Sequence, residues 1–228
     1  MKEAYNLTSP VQQNPALEAL IRRQATAITL PAKKIISEAE SPCEGVYYIA
    51  GGQTRHYLLG ADGTEKVILV LSAGWFFQEV DLILQTHVRL YAVTEEKSEL
   101  LFIPREVFVT LMHKEPLFSE AIHRSQALKA AILLGEIEST AFHTGKDRLL
   151  KLFYHNTDPS FPFDGKWYSL KKPYTQQELG TMLGVSRVTV SKFINEFCDD
   201  GIIRIVNRRM QINIDHYNRL DEAYAGRV

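Results

Sequence analysis

The 228-residue chain has only two cysteines and almost no net charge, 26 basic against 27 acidic side chains. No run in it reaches about 18 apolar residues, the length a membrane-spanning helix needs. Cys43 and Cys198 lie too far apart for a CxxC pair and are too few for an iron–sulfur cluster or a four-cysteine zinc site. The first residues lack a basic stretch leading into an apolar run of signal-peptide length, so a cytoplasmic protein with no membrane partner is expected. A phosphate loop, a nucleophile elbow, an HExxH motif and a Cys/His pair with metal spacing are all missing. Glu95 and Glu96 are adjacent carboxylates, but neighbours in a strand point apart. The chain therefore reads as a non-enzyme with no metal site, and its 45% hydrophobic and 23% charged residues are ordinary for a globular protein.

What is present changes character twice along the chain. Gly45–Ala50, Thr54–Leu59, Lys66–Leu71, Val88–Thr94 and Glu99–Ile103 are short and rich in branched and aromatic residues. Turn signals such as Gly51-Gly52 and Asp62-Gly63 separate them. They predict a compact β barrel or roll, preceded by a short helix over Pro15–Arg23. Arg105–Met112 reads as a second short helix. From Pro116 to Phe142 no proline interrupts a long helical pattern, and steps of three and four give Phe118, Ala121, Ser125, Leu128, Ile132, Gly135, Ser139 and Phe142. Such a seam serves either pairing with a second copy or packing on its own domain. The helix's length favours pairing, hence a homodimer.

A helix over Lys146–His155 follows, which Asn156–Pro162 is expected to break. Cutting at residue 143 splits the charge: residues 1–143 carry 13 basic and 17 acidic side chains, net −4, and residues 144–228 carry 13 and 10, net +3. The basic part contains Thr175–Ile203, TQQELGTMLGVSRVTVSKFINEFCDDGII. Thr175 and Glu178 fit a capping box, and Leu179, Met182 and Leu183 supply the buried face of a short helix. Gly184 suits a left-handed turn, Val185 fills the gap between helices, and Ser186 caps a second helix from Arg187 to about Cys198. That helix buries Val190, Phe193, Ile194 and Phe197 and turns Arg187, Val188, Ser191, Lys192 and Asn195 outward. Ile202–Val206 and Met210–Ile214, joined by Asn207-Arg208-Arg209, read as a hairpin wing with a basic tip suited to phosphates. Together these make a winged helix-turn-helix, whose second helix enters the DNA major groove.

Over nearly its whole length the chain resembles the CRP/FNR family of bacterial transcription regulators. The likeness rests on the β-rich half, GWFFQEVDLI from Gly74, SELLFIPREVF from Ser98, the long helix, Thr144-Gly145 and GVSRVTVSKF. The resemblance implies an α+β fold with an effector-sensing β-roll (1–115), a dimerisation helix (116–143) and a winged helix-turn-helix domain (144–228). It also implies double-stranded DNA and RNA polymerase as partners. The implied DNA-contact set is Thr175, Gln176, Ser186, Arg187, Val188, Thr189, Ser191, Lys192, Arg208 and Arg209. Many relatives carry a cytosine-reading glutamate where Val188 stands, so the half-site is expected to shift toward A/T there.

On the effector side, cyclic-AMP-binding relatives show Gly-Glu-Leu followed by Arg-Ser. Here Gln78-Glu79-Val80 and Val88-Arg89-Leu90 stand instead: Glu79 matches, Arg89 is offset and the serine is gone. Positions that often supply hydroxyls to the base fall on Ala131 and Ile132. The chain is also similar to regulators of halogenated-phenol respiration, which places Lys129 where such proteins pair a lysine with a phenolate. The expected effector set is Glu79, Arg89, Lys129 and Ile132. No cofactor is assigned, and these departures disfavour cyclic AMP: the expected effector is a small anionic aromatic, with a cyclic nucleotide, haem through a histidine such as His56, His87 or His123, or a thiol switch at Cys43 or Cys198 as alternatives.

Overall fold

The computed structural model describes residues 14–225, which fall into two compact units. The first opens with α1 (Pro15–Arg22), where the Asn14 side chain accepts from the Ala16 and Leu17 amides and Pro15 occupies the position that needs no amide donor. Strands follow at β1 (Thr26–Leu30), β2 (Ile35–Ser37), β3 (Gly45–Gly51), β4 (Gln53–Leu59), β5 (Glu65–Ser72) and β6 (Phe76–Phe77). A six-residue helix, α2 (Glu79–Leu84), precedes β7 (Tyr91–Thr94) and β8 (Ser98–Pro104), and then come α3 (Arg105–Lys114) and α4 (Pro116–Phe142). The strands form two four-stranded sheets, ordered β1-β8-β3-β6 and β2-β7-β4-β5.

Alternation along β3 and β8 divides this unit's core in two. Ile49 and Leu100 join Leu69, Leu71, Trp75, Phe77, Ala92 and Ile132 inside the roll. Val46, Tyr48, Leu101 and Ile103 face the other way, onto α1, α3 and the start of α4, through Leu17, Ile21, Phe108, Leu111, Phe118 and Ile122. The strand expected over Val88–Thr94 begins only at Tyr91. Val88 is instead held in a loop by backbone bonds to Glu40 and Ser41, which leaves Arg89 outside the sheet.

The second unit contains α4 from Gly135 onward, the tip of the β4–β5 hairpin (60–66), and everything after α4. Its elements are α5 (Gly145–His155), β9 (Thr157–Phe163), β10 (Trp167–Leu170), α6 (Gln176–Leu183), α7 (Arg187–Asp199), β11 (Ile203–Val206), β12 (Arg209–Asn213) and α8 (Ile214–Ala225). Leu149, Phe153, Leu179, Val190, Ile194, Phe197 and Ile212 form its core. Asn156–Pro162 is not a plain break, because residues 157–163 form the edge strand of a sheet ordered β11-β12-β10-β9. Pro159 and Pro162 are tolerated because an edge strand does not need every amide as a donor. Within this unit the Lys66 ammonium donates to the Met182 carbonyl at 2.6 Å and to Glu136 at 3.0 Å, while Arg148 donates to the Leu183 carbonyl at 3.0 Å.

The seam expected on α4 needs correction. Phe118, Ser125, Ile132 and Ser139 are 0, 4, 5 and 1% exposed, so this stripe is buried by its own chain. Ala121 packs beside the outer core and Leu128 beside the inner one, and Gly135 is half-buried. Of the eight positions only Phe142 is fully open, at 79%. The uncovered apolar stripe is Ala127, Ala130, Leu134, Ile137 and Ala141, with Leu134 and Ile137 66 and 63% exposed. Both stripes obey helical spacing, and packing against the roll selected the one with Phe118 and Ile132.

Candidate functional site

The helix-turn-helix is assembled from local signals. Thr175 caps α6 reciprocally with Glu178: the Glu178 amide donates to the Thr175 hydroxyl at 3.1 Å, and the Thr175 amide donates to the Glu178 carboxylate at 2.7 Å. Gly184 ends α6 at φ +70, a left-handed conformation that a side chain would strain. Gly180 permits the close turn, since a Cβ there would lie 2.8 Å from the Val185 carbonyl oxygen. Ser186 accepts from the Thr189 amide at 3.1 Å and its hydroxyl lies 2.9 Å from that of Thr189. Val190, Ile194 and Phe197 are buried, with Phe193 half-buried beside them.

This leaves Arg187, Val188, Lys192 and Asn195 exposed on one face, Val188 at 78%, with Ser191 half-buried among them. Val188, so exposed, has no packing role in the core of this unit. The hydroxyls of Thr175, Ser186 and Thr189 are committed to caps, so these three hold the helices in place more than they offer side chains outward. Gln176, half-buried, stands on the first turn of α6. The wing is one residue tighter than expected. Val206 pairs with Arg209, Asn207 and Arg208 adopt φ +49 and +63 as a two-residue turn, and Arg209 already belongs to β12. Arg208 and Arg209 are both exposed at this tip.

The second cluster lies inside the roll. The Lys129 ammonium, on α4, donates to a Glu79 carboxylate oxygen at 2.7 Å and to the Phe76 carbonyl at 2.6 Å, and it sits 6.0 Å from the Trp75 ring centroid. Lys129 is 8% exposed and Glu79 1%. Burial drives the lysine pKa below its ordinary value, while Glu79 opposes that shift. The other Glu79 oxygen is buried without a hydrogen-bond partner. Ile132, one turn along α4, packs in the same core as Trp75 and Phe77. His56 lies 2.9 Å from the Thr54 hydroxyl and edge-on to Phe77, and burial, reinforced by the Lys129 charge, lowers its pKa to about 3.

Of the expected effector residues, the structure thus joins Glu79, Lys129 and Ile132. Arg89 is not among them: it is half exposed and pairs with Asp81 at 3.0 Å, drawn there by the loop that holds Val88. Thr54, Trp75 and the Phe76 carbonyl were missed as cluster members, and His56 was considered only as a haem ligand. The alternation in β4, which buries Thr54 and His56, was the available signal. His87 and His123 are exposed, and no group of three or more His, Cys, Asp or Glu side chains among the described residues is arranged to hold a metal ion. Cys43 is buried, with its thiol pKa pushed up chiefly by burial, and so is poorly suited to oxidation. Among the described residues no helix is long and apolar enough to cross a membrane.

The cyclic nucleotide-binding domain profile matches residues 27–115 and the Crp-like helix-turn-helix domain profile residues 147–223. The cyclic AMP receptor protein of Thermus thermophilus is 27% identical over 168 residues, covering 71% of this chain and 72% of the relative. A CRP-like cAMP-activated global transcriptional regulator of Mycobacterium tuberculosis is 20% identical over 199 residues, 87% of this chain and 89% of its own. In fold, the c-di-GMP responsive global regulator CLP of Xanthomonas campestris superposes with a TM-score of 0.75 at 17% identity, over 87% of this chain and 99% of that one. OCPA-complexed CprK superposes with a TM-score of 0.65 at 14% identity, over 87 and 91%. The Mycobacterium tuberculosis relative is a transcriptional regulator and the Xanthomonas campestris protein a global regulator. With a β-rich cyclic nucleotide-binding domain, a long central helix and a Crp-like helix-turn-helix, the chain belongs to the CRP/FNR family of transcription regulators.

Proposed function

We propose that the protein is a dimeric regulator in which a small anionic effector, with an aromatic body, controls binding to a two-fold DNA site. The observation that carries the effector reading is the buried Lys129 ammonium, which shares the roll interior with Trp75 and the incompletely bonded Glu79. An anion that takes the place of the Glu79 carboxylate on Lys129 keeps the ammonium compensated and lays its ring against apolar walls, while the released Glu79 takes up a proton or turns to solvent. Displaced ion pairing of this kind, transmitted along α4 to the hinge at His143-Thr144-Gly145, needs only about 1–3 kcal/mol to change DNA occupancy.

On the DNA side, α7 enters the major groove, with Arg187, Val188, Ser191 and Lys192 toward base edges. Gln176 and the wing arginines Arg208 and Arg209 meet phosphates. Two copies pair through the open stripe of α4 rather than the buried one, and RNA polymerase is the expected further partner. Residues 1–115, 116–143 and 144–228 are then the sensing, pairing and DNA-binding parts.

A second reading, cyclic nucleotide control, is favoured by the domain match over residues 27–115. It requires Arg89 to leave Asp81 and Lys129 to leave Glu79. A thermal-shift and calorimetric screen of cyclic AMP, cyclic GMP and plain and halogenated aromatic acids separates the two. An aromatic-acid response lost in Lys129→Met supports the first reading. A cyclic nucleotide response lost in Arg89→Ala overturns it.

A further inference from the structure

A cleft of about 400 Å³ lies on the outer side of the β3 sheet, between the start of α1 and the first turns of α4; it shares Phe76 with the Lys129 cluster, whose ammonium is not among its lining groups. Its volume is within the range of small-molecule sites. Leu17, Tyr48 and Phe76, at most 5% exposed, supply much of its apolar lining. Ser125 also lines it, 4% exposed, and its hydroxyl is buried without any partner. Other helical hydroxyls bond to the preceding turn, Thr110 donating to the Glu106 carbonyl at 2.8 Å and Thr140 to that of Glu136 at 2.9 Å; Ser139, farther along the same helix, shares the unpartnered state but does not line this cleft. A buried hydroxyl that makes no such bond costs free energy until something supplies a partner. Tyr48 keeps its phenolic proton, since burial raises its pKa to about 12. Glu120 and Arg124 also line the cleft, are exposed, and are one helical turn apart; neither has an ion-pair partner among the described residues.

We propose that this cleft is a second ligand site, for a free aromatic α-amino acid whose ring carries a polar atom. The ammonium meets Glu120, the carboxylate meets Arg124, and the ring enters between Leu17 and Phe76. The ring's N–H or O–H donates to the Ser125 hydroxyl, which completes a bond the protein alone leaves unmade. Opposite charges one turn apart select a zwitterion over a simple acid or amine, and the orphan hydroxyl, which can donate or accept, selects a ring with a polar atom.

Isothermal titration of the full chain with L-tryptophan, L-tyrosine, L-phenylalanine and tryptamine tests this. Saturable binding is expected for L-tryptophan or L-tyrosine, with L-phenylalanine weaker by about tenfold for want of the ring donor. Arg124→Ala, a surface change that leaves the fold intact, should weaken the amino acid by about tenfold and leave tryptamine unaffected. Ala121→Phe should fill the cleft and abolish binding. Absence of saturable heat with both amino acids at millimolar concentration overturns the proposal. So does undiminished binding in Arg124→Ala or in Ala121→Phe, either of which would move the ligand out of this cleft.

Discussion

At Lys129 and Glu79 two opposite charges share an apolar interior, and each is tolerable only because the other is there. Lys129→Met or Glu79→Leu alone should lower unfolding stability by about 3–5 kcal/mol, because an uncompensated charge stays behind. The double variant should recover most of that loss. Urea unfolding of the four proteins measures the coupling, and simple addition of the two penalties would show that the pair is not coupled. His56 adds a pH signature. Its pKa is about 3 in the native state against 6.5 for the free side chain, so the unfolded chain binds a proton that the folded chain does not. Its contribution is complete above pH 6.5 and is lost as pH falls from there toward 3, at up to about 1.4 kcal/mol per pH unit. His56→Gln should therefore flatten the stability profile between about pH 6.5 and 4.5, and an unchanged slope would point to other groups.

Among the elements, α4 shows how far periodicity reaches. Its two apolar stripes have the same spacing, and the roll covers the one with Phe118 and Ile132 while Leu134 and Ile137 stay open. Leu134→Glu with Ile137→Glu should give monomers in sedimentation velocity; persistence of the dimer would move the interface elsewhere. For the wing, replacing Arg208 and Arg209 with alanine should weaken binding to all DNA sequences alike and lower the salt slope by about 2, near 0.9 per lost phosphate contact. A loss confined to one base position would contradict the wing assignment. The helix-turn-helix was legible because its determinants are local: the Thr175–Glu178 box, Gly184, and the Ser186 cap each act within four residues. The edge strand β9, with two prolines, and the short α2 were not, because tertiary pairing outweighs their weak local preferences. Lys129 was placed at the site by resemblance alone. Its burial depends on Glu79, 50 residues away, which no window along the chain contains.

For the whole molecule, the near-zero net charge conceals an acidic first part, net −4, and a basic second part, net +3, so neutrality says nothing against binding phosphates. The family and the three-part order were legible at this scale. By contacts α4 itself is shared, and its last turns from Gly135 group with the hairpin tip and the helix-turn-helix elements. The negative end of α6 is neutralised by Lys66 on the Met182 carbonyl and Arg148 on that of Leu183. A cut at residue 144 would consequently part the helix-turn-helix elements from some of the groups that hold them. A fragment starting at residue 144 keeps Arg148 but leaves behind Lys66 and Glu136, and it should lose about 1 kcal/mol at that helix end. Thermal melting of the full chain with and without Lys66→Ala, beside a fragment that begins at 135, measures how much of this unit's firmness is borrowed from a hairpin tip some seventy residues before it in the sequence.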